Sequence, residues 1–191
     1  MIMTKLQRTF EYQKRSIDGY SQLIKGHIET GSSAYLMTFM FDQLNGNERT
    51  RLAQMKHEIE RVHSILMTRS HRFRSTYSGI NRLPIIIACP DYPVPKYDKQ
   101  SIADVMTNDG LHFHAILLMP PLSRLRDSVV EHFESKKYLY INSRLRRIDI
   151  RPITHDIDQV TDYVFKSLKS GRISDDDGEA TLILKDRPIP F

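Results

Sequence analysis

The sequence predicts an α+β fold: a mostly antiparallel sheet of about five strands with helices packed mainly on one face. Three observations carry that expectation. Short apolar runs rich in aromatic and β-branched residues are separated by helical patterns or by loops. At least two of these runs look two-sided, as strands with one solvated face do. With 191 residues, 40% of them apolar, the chain has the size and content of a single domain with an ordinary core.

Taken in order, residues 4–29 read as a helix, with Leu6, Phe10, Ile17, Tyr20, Leu23 and Ile24 as an irregular apolar stripe broken at Gly31-Ser32-Ser33. Ala34 to Phe41 is a strand, and Leu44-Asn45-Gly46-Asn47 is turn-like. A long helix runs from about Glu48 to Thr68, because Leu52, Met55, Ile59, Val62 and Leu66 recur three or four apart. Leu83 to Cys89 is the second strand. Pro90 ends it, since proline cannot donate to a ladder, and residues 90–109 form a loop. Leu111 to Leu118 is the next strand, stopped by Pro120-Pro121 and followed by a helix from about Leu122 to Lys137. Arg147 to Ile153 alternates charged and apolar residues, as a half-exposed strand does. Asp156 to Ser170 is a helix closed by Gly171, and 174–179 is an acidic loop. Ala180 to Leu184 is a last strand before a proline-containing tail. No repeat or internal boundary divides the chain, so one domain spans residues 1–191, with its chemistry-bearing core at about 34–170.

The net charge of +5 is compatible with a polyanionic partner without demanding one. The one cysteine, Cys89, excludes an intramolecular disulfide and a Cys-based zinc site, and favours a reducing compartment. The first twenty residues lack the apolar core of a signal peptide, and no run approaches the roughly 18 apolar residues of a membrane span. The expected location is the cytoplasm.

His112-Phe113-His114 carries the most chemistry. On a strand, side chains alternate faces, so Leu111, Phe113, Ala115 and Leu117 share one face while His112 and His114 share the other. Two imidazoles side by side can chelate one divalent metal. The competing reading is two unrelated histidines near a strand end, each needing only a hydrogen-bond partner.

The helix 156–170 holds a second constellation. Its apolar stripe is Ile157, Val160, Val164 and Leu168; Tyr163 flanks that stripe and Lys166 follows one turn later on the same side. The bland reading is an amphipathic tyrosine at the core edge beside a solvated lysine. The functional one is a nucleophile. A phenol, with a pKa near 10, is weak at neutral pH, but a neighbouring ammonium favours its phenolate and a nearby metal stabilises charge on a phosphate.

A His-hydrophobic-His strand (His112-Phe113-His114), followed about fifty residues later by a Tyr-x-x-Lys helix (Tyr163-Val164-Phe165-Lys166), resembles the HUH endonuclease superfamily. Tyr35 to Phe41 stands where the family has its first motif. The element order over about 34–170 is similar to that of single-tyrosine rolling-circle replication initiators of plasmids and phages. The resemblance implies a relative of the ferredoxin-like sheet and metal-dependent nicking and joining of single-stranded DNA through a covalent 5′-phosphotyrosine. It makes Tyr163 and Lys166 catalytic, puts Mn²⁺ or Mg²⁺ on His112 and His114, and gives single-stranded DNA and a host helicase as partners. Many such initiators carry a glutamate near the end of the preceding strand as third ligand. Here that stretch reads Ile87-Ala88-Cys89-Pro90-Asp91. Asp91 is the candidate replacement, against a turn role beside its prolines; Asp162 or Ser167 are alternatives.

DNA contacts fall to basic residues. Arg72 and Arg74 flank Phe73, Lys136 and Lys137 precede Tyr138, and Arg147 and Arg151 lie on a strand expected beside the His strand. His57 and His63, six apart on a helix, do not make an i, i+4 zinc pair. Other readings stay open: an HUH transposase or relaxase, a non-catalytic single-stranded nucleic-acid-binding module, or a metal-stabilised protein with no DNA role.

Overall fold

The computed structural model describes residues 5–71, 83–92, 106–154, 156–173 and 180–185, apart from the side chains of 5–10 and 12. Arg72, Arg74, His155, most of the expected loop 90–109, the acidic loop and the tail lie outside the described residues.

Among the described residues, five strands make one sheet: β1 (Ser33–Phe41), β2 (Ile85–Asp91), β3 (His112–Met119), β4 (Leu145–Pro152) and β5 (Leu182–Leu184). Their order is β4-β1-β3-β2-β5 and every pairing is antiparallel. The helices among the described residues are α1 (Lys5–Glu29), α2 (Glu48–Ser70), α3 (Val129–Ser135), α4 (Lys137–Tyr140), α5 (Ile157–Val164) and α6 (Lys166–Lys169). Among the described residues no helix is long and apolar enough to cross a membrane.

The fold class is the one the sequence predicts. The helices, however, divide between both faces of the sheet. Met37, Phe39, Phe113, Ala115 and Leu117 pack against Met55, Ile59, Val62 and Leu66 of α2 and against Phe133 and Tyr140 of α3 and α4. Ile85, Ile87, Cys89, Ile116 and Leu118 pack against Ile17 and Ile24 of α1 and against Val164, Phe165 and Leu168 around α5 and α6. The reason lies in β2 and β3, which are apolar on both sides, so each face needs a cover. Each fully buried Ile or Phe in these layers contributes about 1.5–3 kcal/mol.

Of the bounds that move, three have a clear physical reason. β2 continues through Pro90 to Asp91 instead of ending at Cys89. It can do so because β5 pairs only with Ile86, Ile87 and Ala88, so Pro90 stands where β2 has a neighbour on one side only. The expected helix from Leu122 starts at Val129, where Ser128 and Glu131 form a reciprocal capping box, and it breaks at Lys136 into α3 and α4. The expected helix 156–170 breaks at Phe165, whose buried ring stacks on Tyr20 with centroids 5.0 Å apart.

Away from the histidines, Glu58 of α2 is buried yet charged. Arg61 Nε donates to its Oε2 at 2.7 Å and Asn142 Nδ2 at 2.8 Å, while Arg61 also donates to the Leu139 and Tyr140 carbonyls. These bonds fasten α2 to the turn between α4 and β4. Burial alone would raise the Glu58 carboxyl pKa, but Arg61, Asn142 and Arg144 outweigh it and hold the pKa below the usual value. Glu58→Ala is expected to cost about 2–3 kcal/mol in urea unfolding, because Arg61 and Asn142 lose their shared buried carboxylate. A carboxyl lowered in the folded state stabilises above its unfolded pKa. The gap between wild type and variant therefore closes as pH falls below about 4.3.

Candidate metal centre

The antiparallel register decides which side chains meet. Asp91 lies directly opposite His112, and Cys89 opposite His114, so Asp91, His112 and His114 project from one face at the same end of the sheet. It is the face covered by α1, α5 and α6, whose helices leave this end open enough for Tyr163 to be 44% exposed.

The approach to β3 is a tight turn. Asn108, Asp109 and Gly110 hold φ of 55°, 57° and 77° in succession. Left-handed backbone is costly for the first two residues, and surrounding contacts maintain it. Asn108 Oδ1 accepts from Leu44 N at 2.8 Å, Asn108 Nδ2 donates to Asp42 O at 2.9 Å, and Asp109 pairs with Arg51 at 2.8 Å. The turn aims the Gly110 carbonyl at His112 Nδ1, 2.8 Å away. A carbonyl only accepts, so Nδ1 bears the proton and, in the neutral ring, Nε2 keeps its lone pair. Thr38 Oγ1, on β1 opposite His114, meets His114 Nδ1 at 3.1 Å and can fix that ring in the same tautomer.

Both Nε2 atoms then face Asp91. They lie 3.2 Å from each other, and each lies 3.4 Å from Asp91 Oδ2. The Asp91 carboxylate is fully buried, and its Oδ2 accepts no well-aligned hydrogen bond; its charge is met by Lys166 Nζ at 2.8 Å. Its other oxygen, Oδ1, accepts from the buried Ser167 hydroxyl. Burial pushes the Asp91 carboxyl pKa up, but His112, His114, Lys166 and Ser167 outweigh that and hold it far below the usual carboxylate range. Burial lowers the His114 imidazole pKa, with Asp91 opposing and His112 and Lys166 assisting, which favours its neutral form.

Three lone-pair donors at mutual distances of 3.2, 3.4 and 3.4 Å repel one another unless a proton or a cation lies among them. Separations of that size suit three ligands at about 2.0–2.2 Å from one ion. The residues therefore fit a divalent cation, and two imidazoles with one carboxylate suit a first-row transition metal well. Ser167 sets the carboxylate's orientation. Ser167→Ala is expected to weaken Mn²⁺ binding about tenfold in calorimetry, the usual cost of a lost outer partner.

Tyr163 and Lys166 come to the same place. The Tyr163 ring centroid lies 4.8 Å from that of His114, and Lys166 Nζ lies 4.4 Å from the Tyr163 centroid. Lys166 thus touches both the tyrosine and Asp91. Asp162 takes no part; it pairs with Lys169 at 2.7 Å on the surface. Arg147 and Arg151 are exposed on β4, on the same face as the histidines, since they align with Met40 and Leu36 of β1. β4 is not the neighbour of the His strand: β1 lies between them, and Arg147 Nε donates to Asp149 at 2.9 Å.

Three further groups support the cluster. Ser167, an alternative ligand by sequence, donates its hydroxyl to Asp91. Thr38 and Gly110 orient the histidines. For Thr38 a signal exists, a small hydroxyl residue within the apolar run Leu36 to Phe41. Compared with family models, curated proteins and solved structures, the chain matches none.

Proposed function

We propose that this protein nicks and rejoins single-stranded DNA through a covalent 5′-phosphotyrosine, as HUH endonucleases do, in the rolling-circle replication of a plasmid or phage. The supporting observation is that a half-exposed tyrosine lies against a two-histidine, one-carboxylate cluster, with Lys166 touching both.

Asp91, His112 and His114 would hold Mn²⁺ or Mg²⁺, which when bound supplies Lewis-acid polarisation of the scissile phosphate. The Tyr163 hydroxyl oxygen attacks phosphorus in line. A P–O bond to tyrosine forms, the phenolic proton leaves to solvent, and the bond to the 3′-oxygen breaks. That oxygen takes up a proton and departs as a 3′-hydroxyl. An incoming 3′-hydroxyl reverses the step and restores a phosphodiester. Lys166 keeps an ammonium beside the nucleophile and balances the negative charge gathered at the phosphate. The exposed Arg147 and Arg151 provide backbone contacts on the same face, and Arg72 and Arg74 remain candidates for the same role.

The test is incubation with a randomised pool of end-labelled single-stranded oligonucleotides, with Mn²⁺ or with chelator. The expected product is a labelled protein band that survives denaturation, carries the 3′ fragment and requires metal. Cleavage without that band assigns attack to water. Absence of both cleavage and adduct, with metal bound, removes the reading.

A further inference from the structure

At the outer edge of β4 a cavity of about 180 Å³ opens between that strand and α3–α4. A single water needs only about 10–15 Å³ of such space, so the cavity takes a group of several heavy atoms. Buried Phe133 and Tyr140, with Ile148, supply its apolar walls; Lys137, Arg146 and Arg147 supply its charge. Consecutive residues of a regular strand point to opposite faces, so Arg146 and Arg147 would not ordinarily line one cavity. Here they do, because the β1–β4 register skips a residue. Met40 aligns with Arg147 and Phe41 with Leu145, which leaves Arg146 as an extra residue in a bulge. Bulges of this kind re-aim side chains.

The composition is selective. Three cations line the cavity around aromatic and aliphatic walls, one of them, Arg147, also paired with Asp149 beside it. Directly after Lys137, Tyr138 is 69% exposed; of the large hydrophobic side chains exposed among the described residues, only it and Tyr163 are aromatic. Phe133 and Tyr140 are buried and stack on each other with centroids 4.4 Å apart, so they serve as apolar wall, and the exposed Tyr138 ring beside the cations is a face on which an unpaired base can stack. The cavity lies on the α3–α4 side of the sheet, so DNA reaching it from the histidine face passes around the edge strand β4, where Arg147 stands.

We propose that this cavity is a subsite for one unpaired base of single-stranded DNA, with Lys137, Arg146 and Arg147 on the flanking phosphates. The assignment rests on the DNA reading of the metal centre, and binding without turnover tests it separately.

The experiment measures fluorescence anisotropy of a 12-nucleotide labelled oligothymidine with the full chain in chelator, across a salt series. The double variant Lys137→Ala/Arg146→Ala is expected to bind about tenfold more weakly. Its slope of log affinity against log salt should be shallower by about 0.7 per cation removed. An abasic residue is then moved along the oligonucleotide. One position should cost wild type at least about fivefold and cost the double variant nothing. Equal binding by the double variant, a flat abasic scan, or equal competition by a duplex of the same sequence overturns the subsite. Unchanged melting of the variant guards against misfolding. If binding follows Arg146 but no adduct forms with metal, the subsite stands and the nicking reaction falls. If the adduct forms while binding ignores the cavity, the reverse holds.

Discussion

Tyr163→Phe is expected to abolish the covalent DNA adduct. Removal of one oxygen leaves the ring and its contacts with His114 and Lys166 in place, because those involve the ring face rather than the hydroxyl. The rate should fall by about ten-thousand-fold or more, the scale on which losing a nucleophile registers in enzymes that use one. Mn²⁺ affinity and melting temperature should stay at wild-type values, since Tyr163 is 44% exposed and supplies no atom to the cluster of Asp91, His112 and His114. The measurement is the denaturation-resistant band, quantified over time at saturating metal. Adduct formation at an undiminished rate in the phenylalanine variant would move the nucleophile to another residue.

The second large effect belongs to Asp91→Asn. Wild type at a hundredfold excess of Mn²⁺ over Kd should gain about 2.7 kcal/mol, a rise of roughly 5–10 °C in melting temperature for a chain of this size. The asparagine variant should lose that rise, with affinity down at least about a hundredfold, since the amide withholds the anionic oxygen facing both Nε2 atoms. Without metal it should also be less stable by about 2–3 kcal/mol, because Lys166 loses its buried counter-ion at 2.8 Å. Adding Lys166→Met tests the cause. The double variant should recover much of the metal-free stability and none of the metal binding. Calorimetry and thermal melts with and without Mn²⁺ read both quantities. A full Mn²⁺-dependent shift in Asp91→Asn would remove Asp91 from the ligand set.

Much of this site was legible in the residues. Alternation along Leu111 to Leu118 placed His112 and His114 on one face, because a strand period of two leaves little freedom. Helical spacing put Tyr163 and Lys166 on one side of their helix for a similar reason. Asp91 was harder. Local chemistry favours a turn after Pro90, and what keeps the chain extended there is pairing with β3, more than twenty residues away. Phe165 shows the same limit. Its helical spacing is unremarkable, and the break arises because the ring enters the layer with Tyr20 of α1. The division of helices between two faces follows from β2 and β3 being apolar on both sides. Ser128 with Glu131 was a readable start signal for α3, and it outranks the apolar pattern from Leu122.

The strand order has a consequence for how the molecule opens. β3 is the middle strand, hydrogen-bonded to β1 on one side and β2 on the other, and seven of its eight residues are buried. Fraying begins at edges, and here the edges are β4 and the three-residue β5. Either can peel away while both imidazoles stay clamped between their neighbours. The two histidines therefore belong to the last unit to come apart. The tyrosine rides on an eight-residue helix with a break directly behind it. A DNA end carried on that tyrosine would be tethered to the more loosely held of the two parts, against a fixed anvil.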